Sequence, residues 1–140
     1  MWTLGRLTVC GRLSRMVVRR MDYAELLQQV QVAAALDRAR AEQVIWATVM
    51  TLAERMSHDE LVQLAPCLPD ELRAAASSGS RTSQAFDAEE FVRRVAVRVG
   101  VEPHAAWTHV RAVLGTLERD VAEMEAVRQR LPRDFDGLMA

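Results

Sequence analysis

Residues 21–30 read MDYAELLQQV, and residues 86–95 read FDAEEFVRRV, 65 positions later. A second match lies further along each copy, where residues 68–72 (LPDEL) correspond to residues 131–135 (LPRDF), 63 positions later. In the first segment of both copies, apolar side chains recur with the i, i+1, i+4, i+8 spacing of one helix face. The sequence therefore predicts an all-α fold, in which two tandem, pseudo-symmetric helical repeats of about four helices each pack into one globular domain.

Helix boundaries are signalled at several places in each copy. Side chains suited to the N-cap precede the predicted helices, and they are Asp22, Asp37, Ser57 and Asp87. Ser57 and Glu60 have the spacing of a capping box, and Pro103 suits the first position of a long helix. Gly100 is expected just after the first helix of the second copy. Each repeat should thus contain a helix, a long helix, a short helix, a Leu-Pro break and a final short helix.

The chain is predicted to divide into four parts. Residues 1–20 form a basic N-terminal extension, expected to be disordered or to reflect a mis-assigned start, since the first repeat itself begins with Met21. The repeats occupy residues 21–76 and 86–140, and residues 77–85 (SSGSRTSQA) are the linker because they are small and polar. One repeat alone would bury only roughly 60% of its unfolded surface, so the two should share a core.

Charge is distributed unevenly along the chain. The first twenty residues carry five arginines and no acid, whereas the remainder carries 13 arginines and 19 acids, a net charge of −6. This acidic body disfavours binding to a phosphate backbone. Arg6, Arg12 and Arg15 interrupt every apolar run that could form a signal peptide, and no run approaches the ~20 residues of a membrane span. An amphipathic basic segment that touches anionic lipid or nucleic acid is the remaining alternative for the extension.

Several motifs, taken in order, resemble a known family. They are the Met-Asp-Tyr start at 21–23, the Ala-rich helix expected at 37–56, the Leu-Pro stretch at 64–69 and Phe-Asp-x-x-Glu-Phe at 86–91. The chain resembles the bacterial family called domain of unknown function 2267 from residue 21 to about residue 138. It departs from a regular repeat where residues 66 and 67 interrupt the first Leu-Pro segment. The resemblance implies an all-helical duplicated fold in a bacterium, and it carries over no activity and no functional residues.

Residue types that catalyse reactions or bind metals occur without the pattern of a site. Cys10 and Cys67 form no disulfide framework, so a cytoplasmic location is expected, with Cys67 a packed, inert thiol. His104 and His109 are five residues apart and lie on different helix faces, and His58 lies at a helix start. Paired acids fall in first helical turns, where they offset the macrodipole, and they are Asp59/Glu60, Asp70/Glu71 and Glu89/Glu90. The sequence predicts no catalytic residue, cofactor or metal ligand.

Two tryptophans lie at positions that differ between the copies. Trp46 corresponds to Arg111, and Trp107 corresponds to Glu42. Packing at the edge of the core is one interpretation for both. The other is an asymmetric partner surface, because exposed aromatic side chains are enriched at interfaces.

Arg93, Arg94 and Arg98 follow one stretch of the second copy, where the first copy has no arginine. They could form a phosphate-binding stripe. A solvated helix face explains them as well, with Arg93 paired to Glu89 and Arg94 paired to Glu90.

The sequence as a whole predicts a small non-enzymatic helical protein that acts through contacts with an unknown protein partner or through self-association. The proposed interaction surface comprises Trp46, Trp107, Arg93, Arg94 and Arg98. The alternative is weak nucleic-acid association through residues 1–20 and the three arginines. An enzyme would require a polar, concave pocket between the repeats, and no small-molecule substrate is evident.

Overall fold

The computed structural model describes residues 22–77 and 84–139, and 82% of these residues are helical. They contain eight α-helices and no strand, which confirms the predicted all-α class. The helices are α1 (Tyr23–Ala34), α2 (Arg38–Arg55), α3 (His58–Leu64), α4 (Asp70–Ser77), α5 (Ala88–Val99), α6 (Pro103–Asp120), α7 (Met124–Arg130) and α8 (Asp136–Met139). Two 3-10 turns, Ala65–Cys67 and Arg133–Phe135, lie before α4 and α8.

Aspartate caps begin two of the longer helices. The Arg40 N–H donates to Asp37 Oδ1 at 2.8 Å, and the Glu90 N–H donates to Asp87 Oδ1 at 2.8 Å. Asp22 occupies the same position before α1 but accepts no capping hydrogen bond, so its predicted cap was wrong. Its ψ of 128° differs from the 173° and −179° of the two caps that form, and ψ sets how the first-turn N–H groups lie relative to the side chain.

The start of α3 is a complete capping box, as predicted. Ser57 Oγ accepts from the Glu60 N–H at 3.2 Å, and Glu60 Oε1 accepts from the Ser57 N–H at 2.8 Å. Pro103 opens α6, where its missing N–H costs nothing because first-turn N–H groups have no intrahelical partner.

The first helix of each half ends in a left-handed residue. Gly100 has φ of 84°, as expected for a residue that follows a helix, and Ala35 has φ of 56° at the matching position. The N–H groups of Ala35 and of the next residue both donate to Gln31 O, and those of Gly100 and its successor donate to Ala96 O. The same hydrogen-bonded ending is therefore built from alanine in one half and from glycine in the other.

Helix packing joins the two halves closely. α1 packs on α6 and α5 packs on α2, while α2 and α6 also contact each other. α4 lies on α2, and α8 lies on α6. Buried apolar side chains of both halves form one cluster. The lengths 12, 18 and 7 recur in α1–α3 and in α5–α7, whereas the pseudo-symmetric superposition of the halves stays a prediction.

The predicted linker is only partly described. Ser77 is the last residue of α4, and the Gln84 N–H donates to Glu54 O at 2.9 Å, while residues 78–83 lie outside the described ranges, as do residues 1–20. None of the helices in residues 22–77 and 84–139 combines the length and the apolar character that a membrane crossing requires.

Candidate functional site

The two tryptophans lie on different long helices, and each is partly exposed. Trp46 in α2 is 40% exposed, and Trp107 in α6 is 36% exposed. The neighbours of Trp46 along the chain, Ile45 and Ala47, are buried. Trp107 lies against α8, since a Cβ added at Gly137 would be 3.6 Å from its Cζ2. Each indole thus lies at the boundary between the core and the surface.

Two of the three candidate arginines share one carboxylate within α5. Arg93 donates to Glu90 through Nε and Nη2, each at 2.8 Å, and Arg94 Nε donates to Glu90 Oε2 at 2.8 Å. These hydrogen bonds lower the pKa of Glu90 to about 2. Arg93 pairs with Glu90 here and not with Glu89, because three residues of separation bring these side chains together as well as four do.

Arg94 and Arg98 also connect α5 to α2. Arg94 Nη1 lies 3.2 Å from Glu54 Oε1, and Arg98 Nη2 lies 2.5 Å from Glu54 Oε2. Arg98 Nη1 donates to Thr51 Oγ1 at 2.6 Å, and the Arg94 guanidinium lies 4.0 Å from the centre of the Phe86 ring. We call Glu54, Thr51, Arg94 and Arg98 the α2–α5 network.

Glu54 of this network and Glu90 of α5 together offset the charges of Arg94 and Arg98. Burial raises the pKa of Glu54, but the hydrogen bonds and charges of Arg98 and Arg94 outweigh it, so the pKa lies below its ordinary value. Glu54 is therefore ionised at neutral pH. Arg94 and Arg98 thus have a structural role, which is to hold α5 against α2, whereas Arg93 pairs within α5.

A groove opens between α3 and α7, with a volume of about 600 Å³. Its apolar lining consists of Leu64, Ala122, Ala126 and Val127. Its charged lining consists of four carboxylates and one guanidinium: Asp59, Glu60, Glu123, Glu125 and Arg130. We call this feature the acidic groove.

One ion pair joins the two sides of the acidic groove. Arg130 Nη1 in α7 donates to Glu60 Oε2 in α3. Burial raises the pKa of Glu60, but the Ser57 N–H and Arg130 outweigh it and leave the pKa below its ordinary value. An ionised, doubly engaged carboxylate is a poor general acid, and the Ser57 hydroxyl is occupied in the cap.

Glu123 and Glu125 are less fully engaged. Glu125 Oε2 accepts one long hydrogen bond from Gln129 Nε2, at 3.4 Å. Glu123 Oε1 is enclosed, yet it accepts no hydrogen bond from the described residues. A carboxylate oxygen that is shielded from water and lacks a donor is energetically unfavourable, but an enclosed atom is also out of reach of a ligand. The accessible acceptor on this side of the groove is therefore Glu125, which is exposed.

The histidines and Cys67 do not belong to the α2–α5 network and do not line the acidic groove. His58 and His104 are exposed. His109 is partly buried, and burial together with the charge of Arg40 lowers its pKa. Cys67 is buried, and its thiol lies 3.6 Å from Gln63 O. Among the residues that the structure describes, no group of three or more His, Cys, Asp or Glu side chains is arranged to hold a metal ion.

Sequence reasoning missed both the partner of the arginines and the groove. Glu54 is 40 and 44 residues from Arg94 and Arg98, and Arg130 is 70 residues from Glu60. One feature of the sequence pointed towards the groove: α3 and α7 are the third helices of the two copies. This correspondence is consistent with a contact between them but does not predict it.

The part of the chain that the structure describes has eight α-helices around one shared apolar core, and it therefore belongs to the all-helical class. The chain belongs to the family described as "Uncharacterized conserved protein (DUF2267)", whose model matches residues 23–138. This match covers nearly all of the described chain and confirms the family resemblance. None of the curated proteins compared with the chain matches it.

Proposed function

We propose that this protein acts by contacting other proteins or a second copy of itself, and that it is not an enzyme. The observation that carries the proposal is the partial exposure of Trp46 and Trp107 on the two long central helices. Tryptophan buries a large apolar area and is among the residues that contribute most to protein interfaces.

The setting of Trp46 strengthens this proposal. Residues 44–49 of α2 are buried except for Trp46. An exposed indole on a helical segment that is otherwise buried offers apolar surface on a rigid support, which lowers the entropic cost of binding. Trp107 is supported in a similar way by α8.

The arginines have different parts in this proposal. Arg93 is the most exposed of the three, and we assign to it a polar contact with the partner. Arg94 and Arg98 hold α5 in place through Glu54 and support the surface indirectly. The proposed location is the cytoplasm, on the basis of a buried Cys67 thiol and no disulfide framework in the sequence.

Size-exclusion chromatography with light scattering tests the proposal, together with capture of partners from lysate. Trp46→Arg and Trp107→Glu are the informative variants, since the chain itself has Arg111 and Glu42 at the corresponding positions. Val32→Thr is the matched control at another exposed apolar site. Both tryptophan variants should lose the associated form or the captured partner, with unchanged helix content, and the control should retain it. The proposal is contradicted if the wild-type chain is monomeric and all variants capture the same proteins from lysate.

Weak nucleic-acid association is the alternative, and it has less support. Glu54 and Glu90 offset two of the three arginine charges, and the chain after residue 20 carries a net −6. A gel mobility shift that weakens with salt and disappears on deletion of residues 1–20 would favour it.

A further inference from the structure

The acidic groove has an uneven balance of charge. Four carboxylates line it against the single guanidinium of Arg130, a net charge of −3. Glu60 is already paired with Arg130, so the groove carboxylates with no ion pair among the described residues are Asp59, Glu123 and Glu125. The groove therefore attracts cations and repels phosphate groups.

The groove also has an apolar floor. Leu64 and Val127 are buried residues that contribute to its lining, and Ala122 and Ala126 are small enough to leave the space open. α3 and α7 have seven residues each, so the groove is about 10 Å long. This size suits a short peptide segment of a few residues.

We propose that the acidic groove binds a basic, partly apolar segment of a partner protein. An arginine or lysine of that segment donates to Glu125, which is exposed and lies on the α7 side of the groove. An adjacent apolar side chain packs against Leu64 and Val127. Charge-assisted hydrogen bonds to carboxylates are short and strong, and a guanidinium can engage both oxygens.

This binding site is separate from the tryptophan surface. Neither Trp46 nor Trp107 lines the acidic groove. Trp46→Arg should therefore leave the peptide affinity unchanged, and loss of one activity can be distinguished from loss of the other.

Fluorescence anisotropy of a labelled peptide with alternating arginine and leucine measures binding to the full chain. The double variant Glu123→Gln/Glu125→Gln should weaken binding about tenfold, since it removes the contact with Glu125 and a second negative charge of the groove. Glu25→Gln is the matched control, because Glu25 lies in the first turn of α1 as Glu125 does in α7. This control should change the affinity by less than about twofold.

Ala126→Arg supplies a second, independent variant. Ala126 is exposed, and arginine is a good helix former, so α7 should be retained while the groove is filled. This variant should abolish binding, and circular dichroism should show unchanged helix content. A peptide in which glutamine replaces arginine should not bind the wild-type chain.

Three results overturn the proposal. The first is equal weakening by Glu25→Gln and by the double variant, which indicates non-specific attraction. The second is wild-type affinity in Ala126→Arg. The third is tighter binding after deletion of residues 1–20, which identifies the basic N-terminal extension of this chain as the occupant.

Discussion

Replacement of Glu54 by glutamine removes the charge that holds two arginines of α5 against α2. Glu54 is only 16% exposed, and it lies 3.2 Å from Arg94 Nη1 and 2.5 Å from Arg98 Nη2. A hydrogen bond to a charged group contributes about 1.5–3 kcal/mol, and the partial exposure of both arginines reduces this to about 1 kcal/mol each. Glu54→Gln should therefore lower the free energy of unfolding by about 2 kcal/mol and the Tm by about 4–8 °C.

Glu42→Gln is the control in the same helix. Glu42 pairs with Arg38 at 3.8 Å, and both side chains are well exposed. Loss of an exposed i,i+4 pair should cost at most about 0.5 kcal/mol. Urea titration followed by far-ultraviolet circular dichroism measures the free energy of unfolding of each variant.

The effect of Glu54→Gln should also depend on pH. The pKa of Glu54 is lowered in the folded state, so its ionised form stabilises the protein above the unfolded-state pKa. This stabilisation is lost as the pH falls through the folded-state pKa. The gap between wild type and variant should be complete at neutral pH and close in acid. Equal losses for Glu54→Gln and Glu42→Gln, or a gap that persists in acid, would refute the assigned role of the α2–α5 network.

Three further predictions concern local structure. Ala35→Gly should raise the free energy of unfolding by up to about 1 kcal/mol, because glycine adopts the left-handed conformation without strain. Gly100→Ala should lower the free energy of unfolding by about 1 kcal/mol for the same reason. Urea titrations measure both changes, and changes of the same sign in the two variants contradict the prediction. Ser57→Ala should cost about 1 kcal/mol through loss of the N-cap, again measured by urea titration, and a change below experimental error would argue against the cap. Cys67 should react slowly with iodoacetamide in the folded chain and rapidly in urea, and rapid labelling without urea would show that the thiol is accessible.

Local features of the fold were the most predictable from the sequence. Ser57, Asp87, Pro103 and Gly100 have the expected roles because each one acts on hydrogen bonds within a few residues of itself. The left-handed conformation of Ala35 could not be predicted, because the usual sign of such a residue is glycine and this position has alanine.

Contacts between distant helices were not predictable in the same way. The apolar spacing showed which face of α5 is buried, but it did not indicate that Arg94 and Arg98 meet Glu54. That contact follows from the packing of α5 on α2, which joins the two halves. The acidic groove likewise depends on how α3 and α7 approach each other, and Glu60 and Arg130 are adjacent only in the folded chain.

Nuclear magnetic resonance of the tryptophan indole N–H groups tests the proposed contact surface most directly. The sequence contains three tryptophans, and Trp46→Arg and Trp107→Glu assign two of the three signals. If the proposal is right, the signals of Trp46 and Trp107 shift or broaden as the chain is concentrated or as a captured partner is added. Signals of both tryptophans that stay unchanged under both conditions would contradict the proposal that the protein acts through this surface.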